Sequence, residues 1–501
     1  MNTRTFNIPW LRTVLVATGL ACSAPVAGNS APPVEGRLVL SACTLEDPAR
    51  VSVVSAECGT LKVPENPAEP EGRRIALHVA RVPAISRRKA ADPLFILAGG
   101  PGMAASTMYA SVAPAFARIR RDRDIVLLDQ RGTGRSNALN CPFDDEALLS
   151  SSPAELASET RECLQALSAR ADVAFYTTSV AVQDLDVVRA ALGYEQINLY
   201  GGSYGTRVAE HYMRRFPHRV RAAILDGVIV PGQALGPAIA LDAERALDRV
   251  LTRCAQDKDC SERFGDPRLT YQALRDRLAR NSVPVEFADP ATGEPMRLGF
   301  GAAHLATVLR LSTYTSEQAS LLPLVLHLAQ RLGNFQPLAG QFVQTLRTYG
   351  DVLAYGMHNS VVCTEDVPFY DPEAIDRKKL ASTFMGTAQV DALQSLCEDW
   401  PRGPLDPDLR APLKSDVPVL LLSGGNDPVT PAANAEALRK GLRNSVHVVL
   451  QDLGHGQIAA PCVDRVMADF LERGSVAGLD VSCTRRVRPA PFFLSLAGPA
   501  P

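Results

Sequence analysis

Ile197-Asn198-Leu199-Tyr200-Gly201-Gly202-Ser203-Tyr204-Gly205-Thr206-Arg207 is the stretch on which the reading of this chain turns. The short run Ile197 to Tyr200 predicts a buried strand, and Thr206 to Phe216 has helical character. Between them, Gly201-Gly202-Ser203-Tyr204-Gly205 fits the pattern G-x-S-x-G. A turn this sharp presses strand and helix backbones together, and side chains at Gly201 and Gly205 would obstruct it. It lifts the Ser203 hydroxyl clear of the sheet edge, where it can act as a nucleophile. A glycine-rich turn with an incidental serine is the plain alternative, so the remainder of the chain must decide.

An activated serine needs a base to take its proton and an acid to orient that base. Downstream, Val417 to Ser423 predicts a core strand ending in Gly424-Gly425-Asn426-Asp427-Pro428, and Ser445 to Leu450 a second, followed by Gly454-His455-Gly456. Ser203, Asp427 and His455 thus occur in the order Ser, Asp, His, each just after a strand, as in α/β-hydrolases. Of the eight histidines, only His455 sits in a glycine-flanked loop after a strand. Asp452 is too close to His455 to orient it from a separate strand. Upstream, Pro93 to Ala98 is continuously apolar, as in a strand buried on both faces. It runs into Gly99-Gly100-Pro101-Gly102, a loop able to aim a backbone N–H at a developing oxyanion. The expected donors are the N–H groups of Gly100 and Tyr204.

Further strands are expected at Thr60 to Val63, Ile75 to Val82, Ile125 to Leu128 and Ala222 to Val228, with helices at Ala154 to Ala169 and Thr178 to Leu192. This alternation predicts an α/β fold: a mostly parallel sheet with helices on both faces. The charged loop Asp129-Gln130-Arg131-Gly132 is assigned a structural role. From about Gly232 to Val417 helical periodicity dominates, which predicts a helical insertion above the active edge of the sheet. The tail from Arg485, with Phe492 and Phe493, has no periodicity. The resulting division is 1–27 a signal peptide, 33–235 the first part of the core, 236–412 a helical cap, 413–484 the second part of the core and 485–501 an irregular tail.

A length of 501 residues allows two or three ordinary domains or one large domain with an insertion, and 46% hydrophobic with 21% charged residues is ordinary for a folded protein. The net charge of −2 gives no reason to expect nucleic acid or an anionic membrane as partner. Arg4 and Arg12 followed by the apolar Thr13 to Ala21 read as a secretory signal, which implies export to the periplasm or the medium. A variant reading takes Gly19-Leu20-Ala21-Cys22 as a lipoprotein signal, making Cys22 a lipid anchor. No later segment is long and apolar enough to span a bilayer. Eleven cysteines less Cys22 fall into neighbouring pairs, as an oxidising compartment allows: Cys43 with Cys58, Cys141 with Cys163, Cys254 with Cys260, Cys363 with Cys397, Cys462 with Cys483. Spacing alone does not fix the connectivity. No C-x-x-C and no histidine cluster accompanies them, so no zinc site is expected; neither metal nor organic cofactor is indicated.

Taken together, Gly99-Gly100-Pro101-Gly102, Asp129-Gln130-Arg131-Gly132, Gly201-Gly202-Ser203-Tyr204-Gly205, Asp427 and Gly454-His455-Gly456 resemble the prolyl iminopeptidase and tripeptidyl aminopeptidase group of secreted α/β-hydrolases. The resemblance covers most of the chain after the signal, including the Cys462 to Cys483 segment, which looks like that group's C-terminal region. Prolyl iminopeptidases usually carry a histidine where Ala98 stands, which tilts the likeness towards the tripeptidyl aminopeptidase branch. The resemblance implies release of short peptides or single residues from peptide N-termini through an acyl-enzyme. It also implies cap carboxylates that pair with the substrate ammonium, for which Glu365 and Asp366 are the candidates, with Glu398 and Asp399 behind them. A carboxylic-ester hydrolase with the same triad is the alternative. Oligomeric state is not legible.

Overall fold

The computed structural model describes residues 38–49, 51–141 and 153–499. The expected signal segment and Cys22 lie outside them. Eleven strands are present: β1 (Ser41–Glu46), β2 (Val53–Pro64), β3 (Arg74–Val82), β4 (Leu94–Leu97), β5 (Ile125–Leu128), β6 (Ile197–Gly202), β7 (Val220–Asp226), β8 (Val283–Ala288), β9 (Pro295–Phe300), β10 (Val419–Gly424) and β11 (Ser445–Leu450). Nine of them form one sheet in the order β1-β2-β3-β5-β4-β6-β7-β10-β11. The first three join antiparallel, and every pairing from β5 to β11 is parallel.

The parallel strands are apolar on both faces because helices cover both. Side chains alternate across the sheet. Phe95, Val126, Leu199, Leu225 and Leu421 therefore enter one core, while Leu94, Ile96, Leu127, Ile224 and Leu422 enter the other. The elbow helix Tyr204–Arg215 packs in the first core and Val463–Arg473 in the second.

The loop Asp129 to Arg135 is held from outside as well as from within. Arg131, 1% exposed, gives Asp184 two hydrogen bonds of 2.6 and 2.9 Å and also donates to the Glu65 and Phe175 carbonyls. Asp129 accepts from the backbone N–H groups of Ser106 and Arg135.

Between β7 and β10 run the helices Ile239–Gln256, Pro267–Leu278, Ala302–Ser312, Ser316–Leu332, Gln336–Val352, Tyr355–Glu365 and Ala388–Asp399. The first five share a third apolar core with Phe287 and Phe300, whereas Tyr355–Glu365 and Cys397 of the last pack in the first core. These phenylalanines belong to an antiparallel hairpin, β8 with β9, that helical periodicity did not anticipate. Its alternation is short, with Val285 and Phe287 buried and Pro284, Glu286 and Ala288 exposed. The pairing of β1 with β2 was likewise unexpected. Nor does the tail lie loose. Phe492 is buried in the third core, the Arg253 guanidinium stacks on it at 4.3 Å, and the Phe493 N–H bonds the Ser320 carbonyl. All five neighbouring cysteine pairs are disulfides.

Candidate active site

Five adjacent parallel strands, β4, β6, β7, β10 and β11, end at one edge, the place where open α/β sheets bind ligands. Ser203 leaves β6 with φ 53°, an unusual conformation for a residue with a side chain. The turn tolerates nothing larger than hydrogen at its flanks: a Cβ on Gly201 would lie 2.4 Å from the Gly205 carbonyl oxygen, and one on Gly205 would lie 2.2 Å from that of Leu97. The Ser203 N–H is tied to the Asp226 carbonyl at 2.8 Å, so β7 braces the turn.

Asp427 follows β10 in a tight turn whose N–H groups serve its own side chain. Val429 and Thr430 each donate to Oδ1 at 2.8 Å, and the Thr430 hydroxyl donates to Oδ2. The second oxygen also meets His455 Nδ1 at 2.8 Å. Burial would raise the Asp427 pKa, but the charge and hydrogen bond of His455 and the turn N–H groups leave it below the ordinary carboxylate value. An ionised Asp427 has no proton to give, so Nδ1 carries the hydrogen and Nε2 is left as the accepting nitrogen. Burial pulls the His455 pKa down, yet Asp427, with Asp226 adding to it, leaves it above its ordinary value. The loops of Asp427 and His455 lie backbone to backbone, since a Cβ on Gly424 would reach 1.8 Å from the Gly454 carbonyl oxygen.

Ser203 and His455 line one cavity of about 510 Å3, together with Gly99, Gly100, Tyr314 and Tyr349. Among the described residues no hydrogen bond of 3.5 Å or less joins the serine hydroxyl to His455. The backbone of Gly99 abuts Ser203, a Cβ there falling 3.1 Å from that of the serine. Tyr204 is the first residue of its helix, where the N–H has no intrahelical acceptor and stays available to an anion.

The segment between β7 and β10 reaches both ends of this arrangement. The Tyr314 carbonyl accepts the His455 N–H at 2.7 Å, and the Tyr314 ring stands edge-on to the imidazole with centroids 5.2 Å apart. At the other end the Ala354 N–H bonds the Gly102 carbonyl, and His358 Nδ1 lies 3.3 Å from the Pro101 carbonyl.

The expected amine-binding role of Glu365 and Asp366 is corrected. Both are 0% exposed and absent from the cavity wall. Asp366 holds Arg207 of the elbow helix through two hydrogen bonds of 2.7 and 3.0 Å and accepts the Leu235 N–H. Glu365 accepts from the Thr178 N–H and hydroxyl and faces Arg207 at 3.3 Å. Their oxygens are taken up by Arg207, Thr178 and Leu235 within the protein, away from the cavity. Glu398 and Asp399 also lie off the cavity, Asp399 near Arg161 at 3.7 Å.

Sequence reasoning missed Asp226, which ends β7 beneath the histidine loop. Its Oδ2 accepts from the Tyr200 hydroxyl and the N–H groups of Gln457 and Ile458. Burial, offset by those donors and by His455, pushes its pKa up to about 6. One trio of possible metal ligands stands elsewhere among the described residues, His211 with Asp406 and Asp408. Arg215 already bridges its two carboxylates at 2.9 Å, so the charge a cation would supply is present.

Two family models match the chain, one described as alpha/beta hydrolase fold over residues 92–288, the other as TAP-like protein over residues 382–483. Serine protease Hip1 of Mycobacterium tuberculosis is 27% identical over 95% of this chain and 97% of its own length. A tripeptidyl aminopeptidase of Streptomyces coelicolor is 26% identical over 87% and 84%. Carboxylesterase B of Mycobacterium tuberculosis is 29% identical over 86% of each. The chain thus has the α/β-hydrolase fold with a TAP-like C-terminal segment, and its relatives mark it as a serine hydrolase.

Proposed function

We propose that this protein is an exported serine peptidase that releases short peptides or single residues from peptide N-termini through an acyl-enzyme on Ser203. The observation that carries the reading is the His455–Asp427 pair on the same cavity as the strained Ser203 turn. Nε2 of His455 takes the serine proton as Oγ attacks the carbonyl carbon. The N–H groups of Tyr204 and Gly100 receive the oxyanion, and the imidazolium returns its proton to the leaving amine. Water then repeats the sequence on the ester. The contact between serine and base tightens when substrate fills the cavity, as such bonds commonly do. Each oxyanion donor contributes about 3 kcal/mol to the barrier reduction.

Residues 236–412 act as a cap that selects the substrate, since Leu311, Leu346 and Leu353 from this segment face the same space as Ser203. With Glu365 and Asp366 occupied, preference for a peptide terminus rests on enclosure by this cap rather than on those carboxylates. Export fits five disulfides, and no helix among the described residues is long and apolar enough to cross a membrane. An apolar and aromatic cavity wall, with the esterase among the relatives, also favours ester turnover as a second reading.

A fluorogenic panel of free-amine mono-, di- and tripeptide amides, their N-blocked counterparts and short esters separates these. Free-amine peptides are expected to be cleaved and N-blocked ones to lose most of their turnover. Equal cleavage of both overturns the aminopeptidase reading, and turnover of esters alone overturns peptidase activity. Ser203→Ala is expected to reduce kcat by about 10^6-fold, and full activity in that variant overturns the mechanism.

A further inference from the structure

Resting on the peptidase reading, we infer that Arg310 is the residue that binds a carboxylate of the substrate, so that the preferred peptide carries an acidic group close to the scissile bond. Arg310 stands on the helix Ala302–Ser312 where two spaces meet. It lines the cavity at Ser203 and a neighbouring one of about 790 Å3, and Leu311 and Gln389 are shared in the same way. A chain leaving Ser203 towards the second space passes this side chain.

Its guanidinium hydrogen-bonds the Tyr314 side chain, but one of its donors is unanswered. Nε is buried without a hydrogen-bond acceptor, and among the described residues no carboxylate forms an ion pair with the Arg310 guanidinium. The fully buried arginines among the described residues differ: Arg131 has Asp184, Arg189 has Asp186 and Arg207 has Asp366. A guanidinium presents five N–H donors in a fixed fork, and leaving one buried and unpaired is costly. The groups that feel its charge are Tyr314 two residues beyond its helix, Tyr349 and His358 on neighbouring helices, and His455 on the sheet edge. None of these brings a negative charge near neutral pH. Among the described residues lining the two spaces the one carboxylate is Asp226, and one of its oxygens is committed to three donors of its own. The other lining cation, Arg275, already has Asp276 at 3.1 Å. What is missing beside Arg310 is a planar anion, which a carboxylate supplies with bidentate geometry.

Two sources offer that anion: an Asp or Glu side chain, or the free α-carboxylate of a short peptide. Matched fluorogenic peptides distinguish them, with Glu against Gln at each position flanking the cleaved bond, and a free acid against its amide at the C-terminus. One of these pairs is expected to show at least a 10-fold preference in kcat/KM for the acidic member, with the difference mainly in KM. Arg310→Gln is expected to bring that ratio close to one, and Arg310→Lys to restore part of it. Equal turnover of every pair by the wild type, or a preference that survives in Arg310→Gln, overturns the inference. Should Arg310→Gln fail to fold, the wild-type ratios and Arg310→Lys decide by the same criteria. If the wild type cleaves esters and no peptide, the peptidase reading has failed by itself. Half-esters of a dicarboxylic acid against the matched neutral diesters then test Arg310 alone, with the same ratio expected and the same equality overturning it.

Discussion

In the proposed mechanism Asp226 serves the reaction without being its acid. It pins the loop that carries His455 through two N–H groups, and its charge helps hold the imidazole pKa above the usual value. Under the proposed mechanism the neutral imidazole is the working base, so kcat/KM is expected to climb as pH rises through that pKa. Asp226→Asn keeps an acceptor for the loop and removes the charge. The midpoint of the acidic limb should then move to lower pH, which a kcat/KM profile between pH 5 and 9 would reveal; an unmoved midpoint would contradict this account. Asp427→Asn removes the acceptor that fixes the tautomer and is expected to lower kcat by roughly 10^3- to 10^4-fold, measured on the best peptide of the panel. The positions of Ser203, Asp427 and His455 were legible because each follows an apolar strand and sits among turn residues. Asp226 was not, because an aspartate before Gly227 at a strand end looks like any turn. Its position becomes informative only from register, which sets it opposite Gly202 on β6 and Leu422 on β10. Glu365 and Asp366 misled for a related reason: their partner Arg207 lies 158 and 159 residues away, a separation that no local pattern bridges.

At the level of elements, the ion cluster of Arg207, Glu365 and Asp366 fastens the helix Tyr355–Glu365 to the elbow helix. Buried charges of this kind are costly to separate and cheap to replace together. Arg207→Met leaves two uncompensated carboxylates and is expected to destabilise the fold by about 3–5 kcal/mol in urea unfolding. Adding Glu365→Gln and Asp366→Leu to that variant should recover much of the loss; no recovery would argue against a charge-compensation role. Long helices such as Ser316–Leu332 were legible from periodicity, because one face of each is buried against its neighbours. The hairpin β8–β9 was hidden by its shortness and by Pro284 within it. Contacts of Tyr314 with His455 and of Ala354 with Gly102 join elements far apart in sequence, so periodicity has nothing to say about them.

At the scale of the described chain, one large apolar core lies on each face of the sheet and another within the segment between β7 and β10, and disulfides tie neighbouring stretches together. Cys363–Cys397 closes the widest loop, with a sequence separation of 34. Replacing both cysteines by alanine is expected to cost about 3–4 kcal/mol through the freed unfolded chain, readable as a lower urea midpoint. The parallel sheet could be anticipated as a whole, because burial on both faces leaves continuous apolar runs. Docking of Phe492 could not, since a lone aromatic in an aperiodic stretch carries no address. That docking sets an order of events during synthesis. Leu247 and Phe335 leave the ribosome long before the aromatic ring that completes their core. The segment between β7 and β10 therefore gains its contact with Phe492 only once residue 492 has emerged.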